Sequence, residues 1–167
     1  WNVDILPIKV LDKDGIGDNW NIVKGRLYAG GELDSPYNPY PADVINLSLG
    51  TPTESTVLTD AINTVINNTN TTIVAATGNE DSSIIYPAVL PEVIAVGAVD
   101  YNYPNTPQRA PYSNYGDQLD IVAPGGDLSV DTDGDGYADG VLSTQDDSYP
   151  YSEGTSMATP HITGIIG

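Results

Sequence analysis

The sequence predicts an α/β fold, a largely parallel sheet flanked by helices. Two observations carry that expectation. Short apolar stretches of strand length alternate with segments of helical spacing through the first half, the pattern of parallel βαβ units. The 167 residues, 40% of them apolar, suit one domain with a sizeable core, and neither an internal repeat nor a linker divides them.

Residues 3–10 (VDILPIKV) are apolar and β-branched and read as a first strand despite Pro7. A Gly- and Asp-rich turn follows at 12–18. Trp20, Ile22, Val23 and Leu27 then suggest a helix capped at Asn19. Residues 30–41 are broken by Gly and Pro and read as loop. Residues 43–49 (DVINLSL) form a buried strand, and Val57, Leu58, Ala61, Ile62, Val65 and Ile66 recur at helical spacing over 54–69. Further strands are expected at 73–76, 93–99, 119–122 and 141–144, and a last helix from about Ser156.

Five Lys plus Arg stand against 23 Asp plus Glu, a formal net charge of −18. That disfavours nucleic acid and anionic membrane surfaces as partners. No apolar run reaches the roughly 18–20 residues of a membrane span. With no cysteine there is no disulfide framework. The sequence opens at Trp1, its one methionine is Met157, and its last helix is still apolar at Gly167, so the expectation is a piece cut from a longer chain.

In open α/β sheets, ligands gather beyond the carboxyl ends of the strands. Ser48-Leu49-Gly50, Thr77-Gly78-Asn79 and the turn around Gly15 fall at such ends, and Gly154-Thr-Ser156 opens the last helix. A serine there either caps the helix or, through its own N–H and the helix dipole, helps to stabilise a developing oxyanion. Spacing leaves both open. Asn79 after a glycine reads equally as a turn residue.

Four segments together resemble the subtilisin-like serine protease (subtilase) family. Gly154-Thr-Ser-Met-Ala-Thr-Pro-His161 is similar to its nucleophile motif, Ala75-Ala-Thr-Gly-Asn-Glu80 to its oxyanion-hole segment, and Asp43-Val-Ile-Asn-Leu-Ser-Leu-Gly50 to its substrate-binding strand. Val93-Ile-Ala-Val-Gly-Ala-Val-Asp100 and Ala123-Pro-Gly125 match core segments, and Tyr86-Pro87 matches a position that commonly carries a cis peptide. The resemblance runs from about Leu6 to Gly167 and implies a serine endopeptidase acting on peptide or protein substrates, secreted or at the cell surface. It implies Ser156 as nucleophile, with Asn79 and the Ser156 N–H as oxyanion donors. Gly15, Gly17, Ser48, Leu49 and Gly50 would form edges along which a peptide pairs, and Leu49, Ala76 and Gly78 a pocket of apolar preference.

The family's triad runs Asp, His, Ser along the chain, and here the segments bearing the first two are missing. The one histidine, His161, follows Ser156 on the same helix by five residues, about 140° around the axis, and is assigned a structural role. The expectation is therefore one partial domain over 1–167, inactive alone and lacking the N-terminal part that would complete it. A non-catalytic pseudoprotease or calcium-dependent binding module on the same fold is the rival reading. Asp131-x-Asp133-x-Asp135-Gly136 has the spacing of the first half of an EF-hand loop, with Asp139 at the ninth position, and so points to Ca²⁺. The twelfth position is Leu142 in place of the bidentate glutamate, with Asp146 or Asp147 as candidates to replace it. Asp12, Asp14 and Asp18 form a looser cluster.

Overall fold

Strands β1 (Val44–Leu47), β2 (Thr72–Ala76) and β3 (Ile94–Asp100) lie side by side in parallel in a computed structural model that describes residues 3–100, 107–144 and 148–167. The register runs from Val44 opposite Thr72 to Leu47 opposite Ala75, and from Val74 opposite Ile94 to Ala76 opposite Val96. β3 also takes β4 (Gln108–Arg109) antiparallel at its end and β5 (Ile121–Pro124) parallel. A separate two-stranded ribbon joins β6 (Val141–Leu142) to β7 (Tyr151–Ser152).

The apolar runs are continuous because both faces of the sheet are covered. Side chains alternate across a strand. Ile73, Ala75 and Ala95 therefore point into one core with Ile62 and Val65 of helix α2 (Thr56–Asn68), while Val74, Val96 and Ala98 point into a second with Ala158 and Ile162 of helix α3 (Thr155–Ile166). Helix α1 (Asn19–Ala29) packs on α2 through Ile22, Val23, Leu58 and Ala61. The helical spacing in α2 holds except at Val57, which falls off the buried face and is 51% exposed.

Several sequence expectations shift. Residues 3–10 form no ladder and so no strand; Pro7 lacks a donor, and Ile5 is 86% exposed. The cap of α1 is Asp18, whose carboxylate accepts from the Asn21 N–H at 2.9 Å; Asn19 is the first helical residue. β5 begins two residues later than expected. Leu119 N–H is drawn into a turn to the Gly116 carbonyl, and the Asp120 carboxylate caps the Ala95 N–H at 2.8 Å, so pairing starts at Ile121. The strand expected at 141–144 shortens to two residues, and β4 and β7, equally short, carry no periodicity by which a sequence could announce them. The Tyr86–Pro87 peptide is cis as expected, as is Ser35–Pro36.

Candidate active site

The carboxyl ends of β1 and β2 and the start of α3 meet at one place. Pro160 lies inside α3 and has no N–H, so the Ser156 carbonyl, four residues earlier, loses its helical donor. The Ser48 hydroxyl, just past β1, replaces it at 2.8 Å. In return the Ser156 hydroxyl donates to the Ser48 carbonyl at 3.3 Å. Asn46 holds the Ser48 hydroxyl at 3.0 Å and accepts from the Thr163 hydroxyl at 3.0 Å, tying a third point of α3 to β1. Ser156 does not cap its helix: the N-cap position is Gly154, with no side-chain bond.

Asn79 is fixed from the same helix. Its side-chain oxygen accepts from both the N–H and the hydroxyl of Thr155, each at 2.9 Å, and the Gly78 N–H donates to that hydroxyl at 3.2 Å. With the oxygen so engaged, the Asn79 Nδ2 end is left free of protein acceptors among the described residues. It lies beside Gly154, 3.3 Å from where a Cβ there would stand. Two glycines are required by this approach. Gly78 has φ +103° and a Cβ on it would meet the Asn114 amide, while Gly154 has φ +140°. The Ser156 N–H, in the first turn of α3, has no acceptor among the described residues, so two donors and the positive end of the helix dipole stand together.

Three supporting residues escaped sequence reasoning. Asn114 is fully buried: its amide donates to the Thr77 carbonyl at 3.0 Å and to Glu80 at 2.7 Å, and its oxygen accepts from the Glu80 and Ser82 N–H groups, which fixes the turn after Asn79. The Tyr112 hydroxyl reaches the Gly125 and Gly126 carbonyls at 2.9 and 2.7 Å and accepts from the Gly154 N–H at 3.0 Å, joining the end of β5 to the start of α3; burial pushes its pKa up to about 12. Thr155 is the third. Nothing local marks them, because each acts on a segment 13 to 77 residues away. The Ser156–Pro160 spacing, by contrast, was a readable sign of an orphaned carbonyl.

His161, the chain's one histidine, is exposed and sets its Nδ1 against the Met157 carbonyl at 2.8 Å. Gly15, Gly17, Ser48, Leu49 and Gly50 border one cavity of about 400 Å³, whereas Ala76 and Gly78 are buried at the end of β2 and do not line it. In the acidic loop, carboxylate oxygens of Asp131, Asp133 and Asp139 lie within 4.8 Å of one another. Asp135 stands outside that trio and accepts from the Tyr137 N–H at 2.8 Å. Leu142 belongs to β6, and Asp146 and Asp147 lie outside the described residues. The 12–18 carboxylates disperse: Asp12 turns back to the Ile16 and Asp14 N–H groups, which lower its pKa, Asp14 pairs with Lys13, and Asp18 caps α1.

A parallel sheet covered on both faces, with Ser156 at a helix start held against a strand end and Asn79 tied to the residue before it, defines an α/β protein whose candidate site lies at the carboxyl ends of its strands. The chain belongs to the subtilase family, whose model matches residues 1–167. It is 38% identical to a thermophilic serine proteinase of a Bacillus species over 98% of its own length and 35% of that protein's. It is also 38% identical to subtilisin BL of Lederbergia lenta, over 98% of this chain and 52% of that one. Among solved structures, a protease of Pseudoalteromonas arctica matches with a TM-score of 0.85 at 39% identity, covering 98% of this chain and 49% of the other. A cold-adapted subtilisin-like serine proteinase matches at 0.73 and 28% identity, over 94% and 50% of the two chains. The chain thus spans about half the length, or less, of these relatives.

Proposed function

We propose that this chain is the nucleophile-bearing part of a serine endopeptidase that cleaves peptide or protein substrates through an acyl-enzyme at Ser156. The observation that carries the reading is that Asn79, its oxygen tied to Thr155 and its Nδ2 beside Gly154, sits against the start of the helix that bears Ser156. That constraint aims Nδ2 at the space before the helix, where it and the Ser156 N–H would hold an oxyanion. Ser156 needs a base to activate it, and the base and its orienting carboxylate come from a part of the domain outside these residues. Val3, Ile5 and Leu6 are 50%, 86% and 43% exposed beside an opening of about 1300 Å³, which supports packing of that further part there. The substrate lies along residues 48–50 opposite residues 15–17, with Ala76 and Gly78 behind the scissile residue. Secretion or display at the cell surface fits the relatives.

Asp131, Asp133 and Asp139 would hold a calcium ion, with backbone carbonyls and water completing the shell. Their oxygen-only donor set suits a hard cation, and the ion's chemistry there would be structural.

The test is hydrolysis of a peptide library by two proteins: these 167 residues, and the same chain extended upstream through the segments bearing Asp and His. The short chain should lack enzyme-like turnover, the extended one should cleave, and Ser156→Ala should lower the rate at least about a thousandfold. Asn79→Leu should cost about a hundredfold or more, the scale of losing one oxyanion donor. An extended, folded chain that cleaves nothing refutes the peptidase and favours the binding-module reading; fast Ser156-dependent turnover by the short chain refutes the division of labour.

A further inference from the structure

Tyr112 grips the site from both sides. Its backbone carbonyl accepts from the Asp81 N–H at 2.8 Å, two residues past Asn79. Its hydroxyl accepts from the Gly154 N–H at 3.0 Å, two residues before Ser156. The two candidate oxyanion donors, the Asn79 amide and the Ser156 N–H, come from distant segments of the chain, and this one residue is bonded to both. Tyr112 is itself well fixed. Its half-buried ring packs on the core of Val74, Val96 and Ala98 beneath α3. Its neighbours are tied to β3: the Ala110 N–H donates to the Ala98 carbonyl at 2.9 Å, and the Ser113 hydroxyl accepts from the Ala98 N–H at 2.9 Å. Burial pushes the Tyr112 pKa up to about 12, so the phenol keeps a proton for the Gly126 or Gly125 carbonyl, at 2.7 and 2.9 Å.

Gly154 needs such a support. It is the N-cap of α3, makes no side-chain cap bond, and stands at φ +140°, a region that glycine enters and leaves freely. Its N–H falls in a fork between the Tyr112 hydroxyl and the Gly125 carbonyl, at 3.0 and 2.9 Å. With the hydroxyl removed, one prong remains and Gly154 is free to swing about it. The place of Gly154 in turn governs Asn79. A Cβ on Gly154 would stand 3.3 Å from the Asn79 Nδ2 and 3.7 Å from its Oδ1, and Thr155, the next residue, holds that oxygen by two bonds. Stabilising an oxyanion requires that both donors be aimed at one point. We propose that Tyr112 is a positioning residue that sets the spacing of the Asn79 and Ser156 donors, its ring acting as a strut between the turn after Asn79 and the start of α3. A phenylalanine would pack on the core alike but could not grip Gly154. The assignment rests on the peptidase reading for the reaction it serves, whereas the strut is a property of the fold.

The test is Tyr112→Phe in the chain extended upstream, which keeps the ring and deletes the grip. kcat should fall about tenfold, less than the roughly hundredfold that a 1 Å misplacement costs, while KM stays within about twofold. Asn79→Leu already removes one of the two donors whose spacing is at issue, so adding Tyr112→Phe to it should cost less than about twofold more. A mere loss of folded protein would lower both backgrounds equally. Equal losses in the two backgrounds, or an unchanged kcat in the single variant, overturn the proposal. Two readouts on the 167-residue chain need no chemistry. In the unsubstituted chain the Gly154 amide should exchange with deuterium at least about a hundredfold more slowly than an unprotected amide, and exchange at the unprotected rate overturns the fork. In Tyr112→Phe the side-chain amide resonances of Asn79 should shift while those of Asn67, on α2, stay in place; unmoved Asn79 resonances overturn the proposal as well. Should the extended chain cleave nothing while Tyr112→Phe still moves the Asn79 amide, the peptidase reading fails and the strut stands.

Discussion

Ser156 precedes Pro160 by one helical hydrogen bond, and that spacing determines how the serine is held. The carbonyl orphaned by the proline is satisfied by the Ser48 hydroxyl at 2.8 Å, so the same bond repairs the helix and fixes the residue's position. Ser48→Ala removes the donor and leaves a half-buried carbonyl unpaired, which should destabilise the fold by about 1–3 kcal/mol. Ser48→Thr keeps a hydroxyl and should recover most of the loss. An alanine variant with an unaltered urea midpoint would show that water serves the carbonyl equally well. The proline was plain in the sequence. The partner, 108 residues away, was not, because a side chain's long-range hydrogen bond leaves no periodic trace.

At the scale of elements, the loop between β5 and β6 shows how far spacing can be trusted. Alternating Asp131, Asp133 and Asp135 announced a cation loop, and two of the three do converge with Asp139. The backbone turn at Gly134 and Gly136, both at positive φ, decides which carboxylates face inward and sends Asp135 to the Tyr137 N–H. Like charges this close repel, so an ion bound only by the folded form should stabilise it by mass action, about 2.7 kcal/mol at a hundredfold excess over Kd. The melting temperature should therefore rise with millimolar calcium and fall with chelator, and Asp133→Asn should shrink the difference. A melting curve indifferent to calcium would reduce the loop to acidic surface.

For the whole molecule, stability in alkali depends on two groups whose effects have opposite sign, the half-buried Tyr112 and the buried Arg26. Tyr112 has a folded pKa raised from 10.0 to about 12, so the folded state keeps a proton that the unfolded state loses; its contribution is complete below pH 10 and disappears as pH rises to about 12. Arg26 has a folded pKa lowered by burial to about 10, so above that pH the unfolded state holds the extra proton and stability rises with pH. The two slopes oppose each other between pH 10 and 12. Tyr112→Phe removes only the first, so its stability relative to the unsubstituted protein should improve steadily from pH 10 to 12 in urea titrations. A constant difference across that range would mean that Tyr112 titrates normally and is less well held between β5 and α3 than its three hydrogen bonds imply.

The sequence by itself determined the order of β1, α2, β2, β3 and α3, because apolar burial on the covered faces imposes a period on the residues it selects. It determined the family too, since the strings around Asn79 and Ser156 are dictated locally: glycines where the backbone must turn and small residues where strand end and helix meet. Only the tertiary structure decided whether residues 3–10 are a strand, because a strand exists through its partner and that stretch makes no ladder here. It alone placed Asn114, Tyr112 and Thr155 around the site, and it alone left Arg26 buried without a counter-ion. Burial and long-range pairing belong to the assembled chain, and an arginine in a helix gives no sign beforehand of which charges will reach it.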